Sequence, residues 1–301
     1  MAPEQQAFQG RSRYLWPALA LPGTVWLILL FVVPFYGILA VAFSSELNIF
    51  RQPVPAWNPL EWNFSTFTTV VEQSISGIYR KAWEHTFIYV AAAMALCVAI
   101  GYPVAYYVAR LAGRRRGLLL ALILLPWWIN YLTRMLAWVG ILGDDGYANH
   151  ILDWFGVSPV QWLSGNPYVV IIALAYGYLP FFIVPLYAYL DRIDQRHLEA
   201  SRDLGANSVR TFLHVTLPQS RIGLITAMVI TALPMFGDYY TNTLVSNSPS
   251  TAMVGNAIET TLTSGFSRPQ GASLVLILSA VLLVFMAYYL ALTVRAGRNA
   301  R

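Results

Sequence analysis

The residues best suited to chemistry lie in an otherwise apolar stretch at 234–241, which reads PMFGDYYT. This run combines a helix-breaking proline with one carboxylate, Asp238, and two adjacent rings, Tyr239 and Tyr240. A carboxylate next to aromatic faces suits a cation such as an ammonium group. Helix breaks near the middle of a membrane often mark substrate sites in transporters. The run therefore predicts a cation site on a substrate path, although a packed kink with interfacial tyrosines has the same composition.

Arg134 is a second ionisable residue within an apolar stretch, and such residues inside a membrane are functional candidates. Arg134 and Asp238 each lie about 16 residues along their stretches, some 24 Å at about 1.5 Å per residue, and so at similar depth. Two roles stay open: a buried Arg134–Asp238 ion pair that joins two helices, or side chains that line the path. The predicted path residues are Asp238, Tyr239, Tyr240, Arg134 and Trp128.

The sequence contains no pattern for hydrolysing ATP or binding a metal ion. A P-loop requires G-x4-G-K-[ST], and the single lysine, Lys81, follows Arg80. The single Cys97 excludes an intrachain disulfide. Neither paired carboxylates nor a G-x-S-x-G nucleophile is present. No metal-ligand spacing joins the histidines, which are His85, His150, His197 and His214. We therefore expect no catalytic residue, no metal site and no cofactor in this chain.

Membrane-spanning helices must position these side chains. Hydrophobic residues make up 57% of the 301 residues and charged residues only 11%, against about 25% charged in a soluble domain. A span requires about 20 mostly apolar residues, and backbone groups in hydrocarbon must be paired within helices. We predict an all-α membrane protein with six transmembrane helices, kinked by their prolines. The predicted spans are 17–43, 86–109, 118–142, 168–190, 222–246 and 271–294.

The distribution of arginine and lysine orients these spans. Because the number of spans is even, both termini lie on one side, which carries 14 of the 19 basic residues. Basic residues favour the cytoplasmic face. The first span follows Arg11 and Arg13 and is too long for a cleaved signal peptide. We predict a cytoplasmic tail over 1–16, a transmembrane domain over 17–294 and a cytoplasmic tail over 295–301, with the connecting segment 191–221 also cytoplasmic.

The connecting segment 191–221 carries a motif of defined spacing. Glu-Ala-Ser at 199–201 is followed by three residues, Gly205, nine residues, Val215, one residue and Leu-Pro at 217–218. This pattern resembles the EAA loop of bacterial ABC importer permeases, with Ser201 in place of the second alanine and Val215 in place of isoleucine. The resemblance implies that the segment docks into a cleft on an ATPase subunit. The coupling residues that it implies are Glu199, Ala200, Ser201, Asp203, Leu204, Gly205, Leu217 and Pro218.

The local sequence of the same segment predicts two helices joined by a turn. The first helix covers 191–204, with Asp191 or Asp194 as its N-cap and Gly205 as a left-handed C-cap. The second covers 208–214, is capped at its start by Asn207 and is closed by Leu-Pro at 217–218. An amphipathic connector that lies on the membrane surface is the alternative to docking, and the motif's spacing favours docking.

Other segments resemble the spermidine/putrescine-type branch of these permeases. They are 86–110 with GYPVAY at 101–106, 126–138 from PWW to RMLAW, FGDY at 236–239 and MVGNAI at 253–258. The resemblance implies the type I ABC importer permease fold, a bacterial inner-membrane location and import of a small cationic solute, a polyamine such as spermidine or putrescine. Another small amine, an amino-acid derivative or an opine is the alternative substrate.

The resemblance also implies partners. These are two ATP-binding cassette subunits that hold ATP and magnesium, a second permease subunit that the branch favours as a different chain, and an extracytoplasmic substrate-binding protein; no nucleic acid is implied. The outer segment 44–85 suits contact with that binding protein or an aromatic belt at the membrane surface. Its notable residues are Trp57, Glu61, Trp62, Asn63 and Glu72. An ion-gradient-driven transporter with Arg134 and Asp238 as its relay is the rival from another class.

Overall fold

The computed structural model describes residues 19–44, 54–246, 248–264 and 267–298. These residues form helices, turns and loops, and no strand occurs among them, which confirms the all-α prediction. The predicted tail over 1–16 lies outside the described residues, as do four residues used in the orientation argument: Arg11, Arg13, Arg51 and Arg301. The domain boundaries and the cytoplasmic side of the termini stay predictions.

The helices follow one another along the chain with connections of unequal length, of which 43–64 and 155–166 are the long ones in this set. They are α1 Leu19–Ala42, α2 Ser65–Ser76, α3 Arg80–Arg110, α4 Arg116–Leu124, α5 Tyr131–Leu142, α6 Tyr147–Trp154, α7 Pro167–Asp191, α8 Gln195–Asp203, α9 Ser208–Phe236, α10 Tyr240–Val245, α11 Val254–Thr263 and α12 Arg268–Arg298.

Five of the described helices, α1, α3, α7, α9 and α12, are long and apolar enough to cross a membrane. A bent pair, Gly113–Trp128 and Tyr131–Trp154, whose two parts meet at 86°, is also apolar enough and forms either one broken span or a re-entrant loop. The predicted count of six is reached when this pair is one span. The predicted span 118–142, expected to be kinked by its proline, is broken there: Pro126 lies in a 3-10 turn, Leu125–Trp128, and the Asn130 side chain starts a new helix by accepting the N–H of Leu132 at 2.9 Å.

The helix that contains the predicted fifth span, 222–246, begins before it and is interrupted within it. Helix α9 begins at Ser208 and ends at Phe236, and α10 follows after a break at 237–239. The prediction that Leu-Pro at 217–218 closes a short helix is wrong. A π-helical turn over Phe212–Thr216 carries the helix through Pro218.

Both π-helical turns in the described part of the chain precede a proline. A proline ring clashes with the carbonyl group four residues earlier. For Pro218 that residue is His214, within the π turn Phe212–Thr216, and for Pro34 it is Leu30, within the π turn Ile28–Val32 of α1. The wider π turn moves that carbonyl away from the proline ring, so the helix continues.

The described residues divide into two compact units, those within 1–71 and 260–276 and those within 72–259 and 277–301. In the second unit α3 packs along α7, and α9 packs against both helices. Small residues of α3, Ala93, Cys97 and Ala105, are buried, which permits close approach of helices in a membrane. The Cys97 sulfur lies 3.6 Å from the carbonyl oxygen of Ala175 in α7.

The first unit contains an aromatic cluster that uses part of the outer segment. The Phe43 ring centroid lies 5.0 Å from Trp62 and 4.6 Å from Phe64, and the Trp62 indole donates to the Ala56 carbonyl at 2.8 Å. Trp57 is 60% exposed. Trp62 therefore has a packing role, and the choice between a membrane belt and a binding-protein contact stays open for this segment.

Candidate functional site

Asp238 lies in the break between α9 and α10 and is 7% exposed. One carboxylate oxygen, Oδ1, accepts the backbone N–H of Thr241 at 2.9 Å and so caps α10. The other oxygen, Oδ2, accepts the hydroxyls of Tyr178 in α7 at 2.7 Å and Tyr131 in α5 at 3.2 Å. Since a carboxylate offers about four lone-pair positions, these three donors leave about one for a ligand.

The stretch 253–258 holds the break that presents Asp238. The buried Asn256, near the start of α11, donates through Nδ2 to the Tyr239 carbonyl at 3.1 Å and to the Thr243 hydroxyl at 2.9 Å. Its Oδ1 accepts the N–H of Met253 at 3.0 Å. The amide side chain therefore fixes the backbone of the break at Tyr239 and a side chain of α10, which gives this stretch a positioning role.

Tyr131 connects the two helix breaks. Its hydroxyl is hydrogen-bonded to the Thr241 hydroxyl as well as to Asp238. A phenol has one proton, so Tyr131 donates to Asp238 and Thr241 donates to Tyr131. A Cβ at Gly177 would lie 2.8 Å from a ring carbon of Tyr131, and glycine at that position therefore makes room for the ring against α7.

Arg134 is buried, 7% exposed, one helical turn after Tyr131. Its guanidinium carbon lies 5.3 Å from the Tyr131 ring centroid and 6.0 Å from that of Tyr176, distances typical of cation–π contacts. No ion pair joins Arg134 to Asp238 in the described part of the chain. The ion-pair alternative is thus wrong for this structure, and the two charges are linked through the Tyr131 ring.

The Arg134 side chain lines a cleft of about 360 Å³ together with Thr133, Trp138 and Tyr176. Its Nε atom is buried and has no hydrogen-bond partner among the described residues. A buried, unpaired charge is costly, so this group is suited to an electrostatic role toward something outside the chain.

The remaining predicted path residues lie at the two breaks. Trp128 is 82% exposed and ends the 3-10 turn before Asn130. The Tyr239 and Tyr240 rings stack with centroids 4.0 Å apart, and Tyr240 is 43% exposed. Sequence reasoning missed Tyr131 and Tyr178 as partners of Asp238. The spacing of Tyr131 three residues before Arg134 places both on one helix face and was the available signal.

The segment 191–221 folds as two helices joined by a turn. Asp194 is the N-cap of α8, since its side chain accepts the N–H of Arg196 at 2.9 Å, whereas Asp191 lies 3.6 Å from Arg116 in an ion pair. Asn207 caps the start of α9 by accepting the N–H of Arg210 at 2.8 Å. These observations confirm Asn207 and select Asp194 from the two predicted caps.

Gly205 ends α8 in the left-handed conformation, with φ at +84°, as predicted. The Ala206 N–H donates to the Ser201 carbonyl at 3.1 Å and the Gly205 N–H to the Arg202 carbonyl at 2.9 Å. This pair of bonds defines a Schellman motif. The turn therefore has a fixed geometry, which a side chain at Gly205 would strain.

Most of the surface of segment 191–221 is left exposed by the rest of the chain. Leu204 is 89% exposed, Val209 64% and Leu213 49%. Glu199, Ala200, Asp203 and Pro218 are also exposed, while Ser201 and Leu217 are half-buried. The Ser201 hydroxyl lies 3.1 Å from the Thr211 hydroxyl. Ser201 therefore links the two helices by a hydrogen bond. The exposed apolar side chains of Leu204, Val209 and Leu213 remain available to contact another surface.

Helix α3 holds this segment at both ends. Arg110 donates through Nη2 to the carbonyls of Leu190 at 2.5 Å and Ile193 at 2.6 Å, where α7 ends. The Tyr102 hydroxyl lies 2.7 Å from the Ser220 hydroxyl of α9, and its ring packs edge-on against Phe212 at 5.6 Å. Sequence reasoning missed this positioning role of Arg110.

Comparison with known proteins places these observations in context. Residues 101–296 match the model of the family described as binding-protein-dependent transport system inner membrane component. The chain is 32% identical to the spermidine/putrescine transport system permease protein PotB of Haemophilus influenzae, over 87% of this chain and 89% of that protein. It is 29% identical to PotB of Escherichia coli (strain K12), over 88% of this chain and 92% of that protein.

A solved structure shares the fold. A chain of the bacterial alginate ABC transporter, in complex with an alginate pentasaccharide-bound periplasmic protein, matches with a TM-score of 0.71 over 93% of both chains at 17% identity. At this identity the likeness shows the fold alone.

Proposed function

The chain belongs to the family of binding-protein-dependent transport system inner membrane components, and we propose that it carries a polyamine such as spermidine or putrescine across the membrane. It is a multi-pass inner-membrane protein and a permease subunit of an ABC importer. The relatives that share about a third of its residues are named for spermidine/putrescine transport. The cation site at Asp238 supports the same substrate class.

One structural relationship carries the proposal: a single helix joins the segment at 195–218 to the break at Asp238. Helix α9 runs for 29 residues from Ser208 to Phe236, about 43 Å at about 1.5 Å per residue. Asp238 follows two residues after its end. A displacement of the segment at one end of α9 is therefore delivered to the carboxylate at the other end.

The proposed recognition step uses the carboxylate of Asp238 for an ammonium group of the polyamine. Three protein donors already occupy most of its lone pairs. An ammonium gains a full set of contacts once the Tyr178 or Tyr131 hydroxyl moves aside, and the stacked rings of Tyr239 and Tyr240 offer aromatic faces to the same cation. Arg134 and Trp128 line the path beside this site. The positive charge of Arg134 repels a cation, and the negative charge of Asp238 must compensate that repulsion before the cation enters.

In this proposal the energy comes from other chains. Two ATP-binding cassette subunits bind ATP and magnesium, and this chain has no ATPase site of its own. The exposed residues Leu204, Val209 and Glu199 dock on one of these subunits. A second permease subunit, a different chain, completes the path, and a substrate-binding protein delivers the polyamine from outside the membrane. The bond between Ser201 and Thr211 and the Arg110 contacts keep the docked segment rigid.

A reconstitution experiment separates this function from its rivals. The chain is incorporated into proteoliposomes with its partner subunits and its binding protein, and uptake of radiolabelled putrescine is measured. The expected result is uptake that requires ATP on the ATPase side and binding protein on the other. Uptake driven by a proton or sodium gradient without ATP would instead establish the secondary-transporter alternative. Competition by other amines, amino-acid derivatives and opines ranks the remaining substrates.

A further inference from the structure

A groove of about 730 Å³ lies between α3 and α4, away from the Asp238 site. Its walls are almost entirely apolar or aromatic, and the lining residues include Tyr106, Tyr107, Leu111, Leu119, Leu122 and Phe212. Leu111 is 64% exposed and Leu122 is 53% exposed. The groove is thus an open apolar surface on a membrane protein.

Two exposed arginines lie in the chain between Leu111 and Leu119, which line the groove. The turn Gly113–Arg115 connects α3 to α4 and carries Arg114 and Arg115, both exposed. Neighbouring arginines are occupied, since Arg110 binds carbonyls at the end of α7 and Arg116 pairs with Asp191. Within the described ranges Arg114 and Arg115 have no ion pair. They are therefore available to an external anion.

We propose that this groove binds an anionic phospholipid, with one acyl chain between α3 and α4 and the phosphate on Arg114 and Arg115. An apolar groove open to hydrocarbon accepts an acyl chain without desolvating a polar group. Basic pockets between transmembrane helices bind anionic head groups. Two unpaired arginines favour a lipid with net negative charge over a zwitterionic one, whose own amine offsets the phosphate.

The lipid would also contact the segment that we assign to ATPase docking. Phe212, in the π turn of α9, lines the groove, and its ring packs edge-on against Tyr106 at 5.6 Å. An acyl chain in the groove therefore packs against the start of α9. The binding site itself does not depend on the substrate of the importer, so its test uses lipid binding and not transport.

Photolabelling tests the proposal on the complete importer. The complex is reconstituted in phosphatidylcholine vesicles that contain a trace of either phosphatidylglycerol or phosphatidylcholine with a photoreactive acyl chain, and labelled peptides are identified by mass spectrometry. We expect phosphatidylglycerol to label 102–111 and 119–123 preferentially. Arg114→Gln with Arg115→Gln should lower that labelling roughly thirtyfold, because each of the two surface arginines contributes about 1 kcal/mol toward anionic lipid. Arg295→Gln with Arg298→Gln removes the same charge from the end of α12 and should leave it unchanged.

A steric pair of variants tests the acyl-chain half of the site. Val104 lines the groove, and Val104→Trp fills it, whereas Ile100→Trp adds the same ring to an exposed position of α3 that does not line the groove. Only Val104→Trp should suppress labelling. Equal labelling by the two lipids, or labelling that survives the loss of both arginines, overturns the proposal. Disulfide cross-linking of Leu122→Cys to a cysteine in the second permease subunit would assign the groove to a protein interface. That result would also overturn the proposal.

Discussion

Tyr178 of α7 donates a 2.7 Å hydrogen bond to the carboxylate of Asp238, in the break that follows α9. This bond ties an uninterrupted helix to the end of a helix that starts in segment 191–221, which we propose docks on the ATPase, hereafter the docking segment. A hydrogen bond to a charged group contributes about 1.5–3 kcal/mol. Movement of α9 relative to α7 must therefore break or remake a bond of that size, and access to Asp238 depends on the arrangement of the two helices.

Tyr178→Phe tests whether this bond competes with the substrate. The variant keeps the ring and removes one donor, which returns a lone pair of Asp238 to an incoming ammonium group. We expect the KM for putrescine to fall by about tenfold or more, because a competing bond of about 1.5–3 kcal/mol is removed, in uptake measured over a range of concentrations. Tyr168→Phe, at an exposed position of the same helix, is the matched control. An unchanged KM in Tyr178→Phe contradicts competition at this carboxylate.

Gly205→Val tests the turn between the two helices of the docking segment. Valine is strained at a φ of +84°, whereas asparagine tolerates this conformation. We expect Gly205→Val to abolish uptake while ATP hydrolysis by the complex continues, and Gly205→Asn to remain coupled. Glu199→Lys, which reverses an exposed charge on α8, should uncouple in the same way without affecting membrane insertion. Normal uptake in both Gly205→Val and Glu199→Lys would contradict the assignment of segment 191–221 to docking on an ATPase subunit.

Arg110→Gln tests the attachment of the docking segment to α3. The guanidinium bonds to the carbonyls of Leu190 and Ile193, and their loss should lower stability by about 1.5–3 kcal/mol. The expected result is a lower Tm of the purified complex together with fewer substrate molecules imported per ATP hydrolysed. Arg110→Lys keeps the charge but not the planar fork, so it should rescue stability only in part. A Tm equal to that of the unchanged protein would remove the positioning role.

The local features of the docking segment could be predicted because they depend on neighbours in the sequence. Asn207 and Gly205 act on backbone groups within a few residues. The two helix breaks could not be placed so well. A proline shows only that a helix is weakened, and whether it bends depends on tertiary partners. The chain continues through Pro218 on a π turn but breaks three residues after Pro234.

The relationship between the two buried charges shows the same limit. Counting residues placed Arg134 and Asp238 at similar depth, and both are indeed close to Tyr131. Depth alone cannot reveal which side chain lies between them. The ion-pair alternative failed because the Tyr131 hydroxyl and the Tyr178 hydroxyl satisfy the carboxylate, and both come from helices remote in sequence from α9.

The central claim, that Asp238 recognises a cationic substrate on the path, is tested most directly by uptake in Asp238→Asn. Asparagine keeps the size of the side chain and removes the charge, which should lower ATP-driven putrescine uptake at least about tenfold. Asp238→Glu should retain part of the activity. Glu84→Gln, which removes an exposed carboxylate paired with Arg80, should transport normally. Putrescine uptake by Asp238→Asn equal to that of the unchanged importer, with the complex intact, would return Asp238 to a purely structural role.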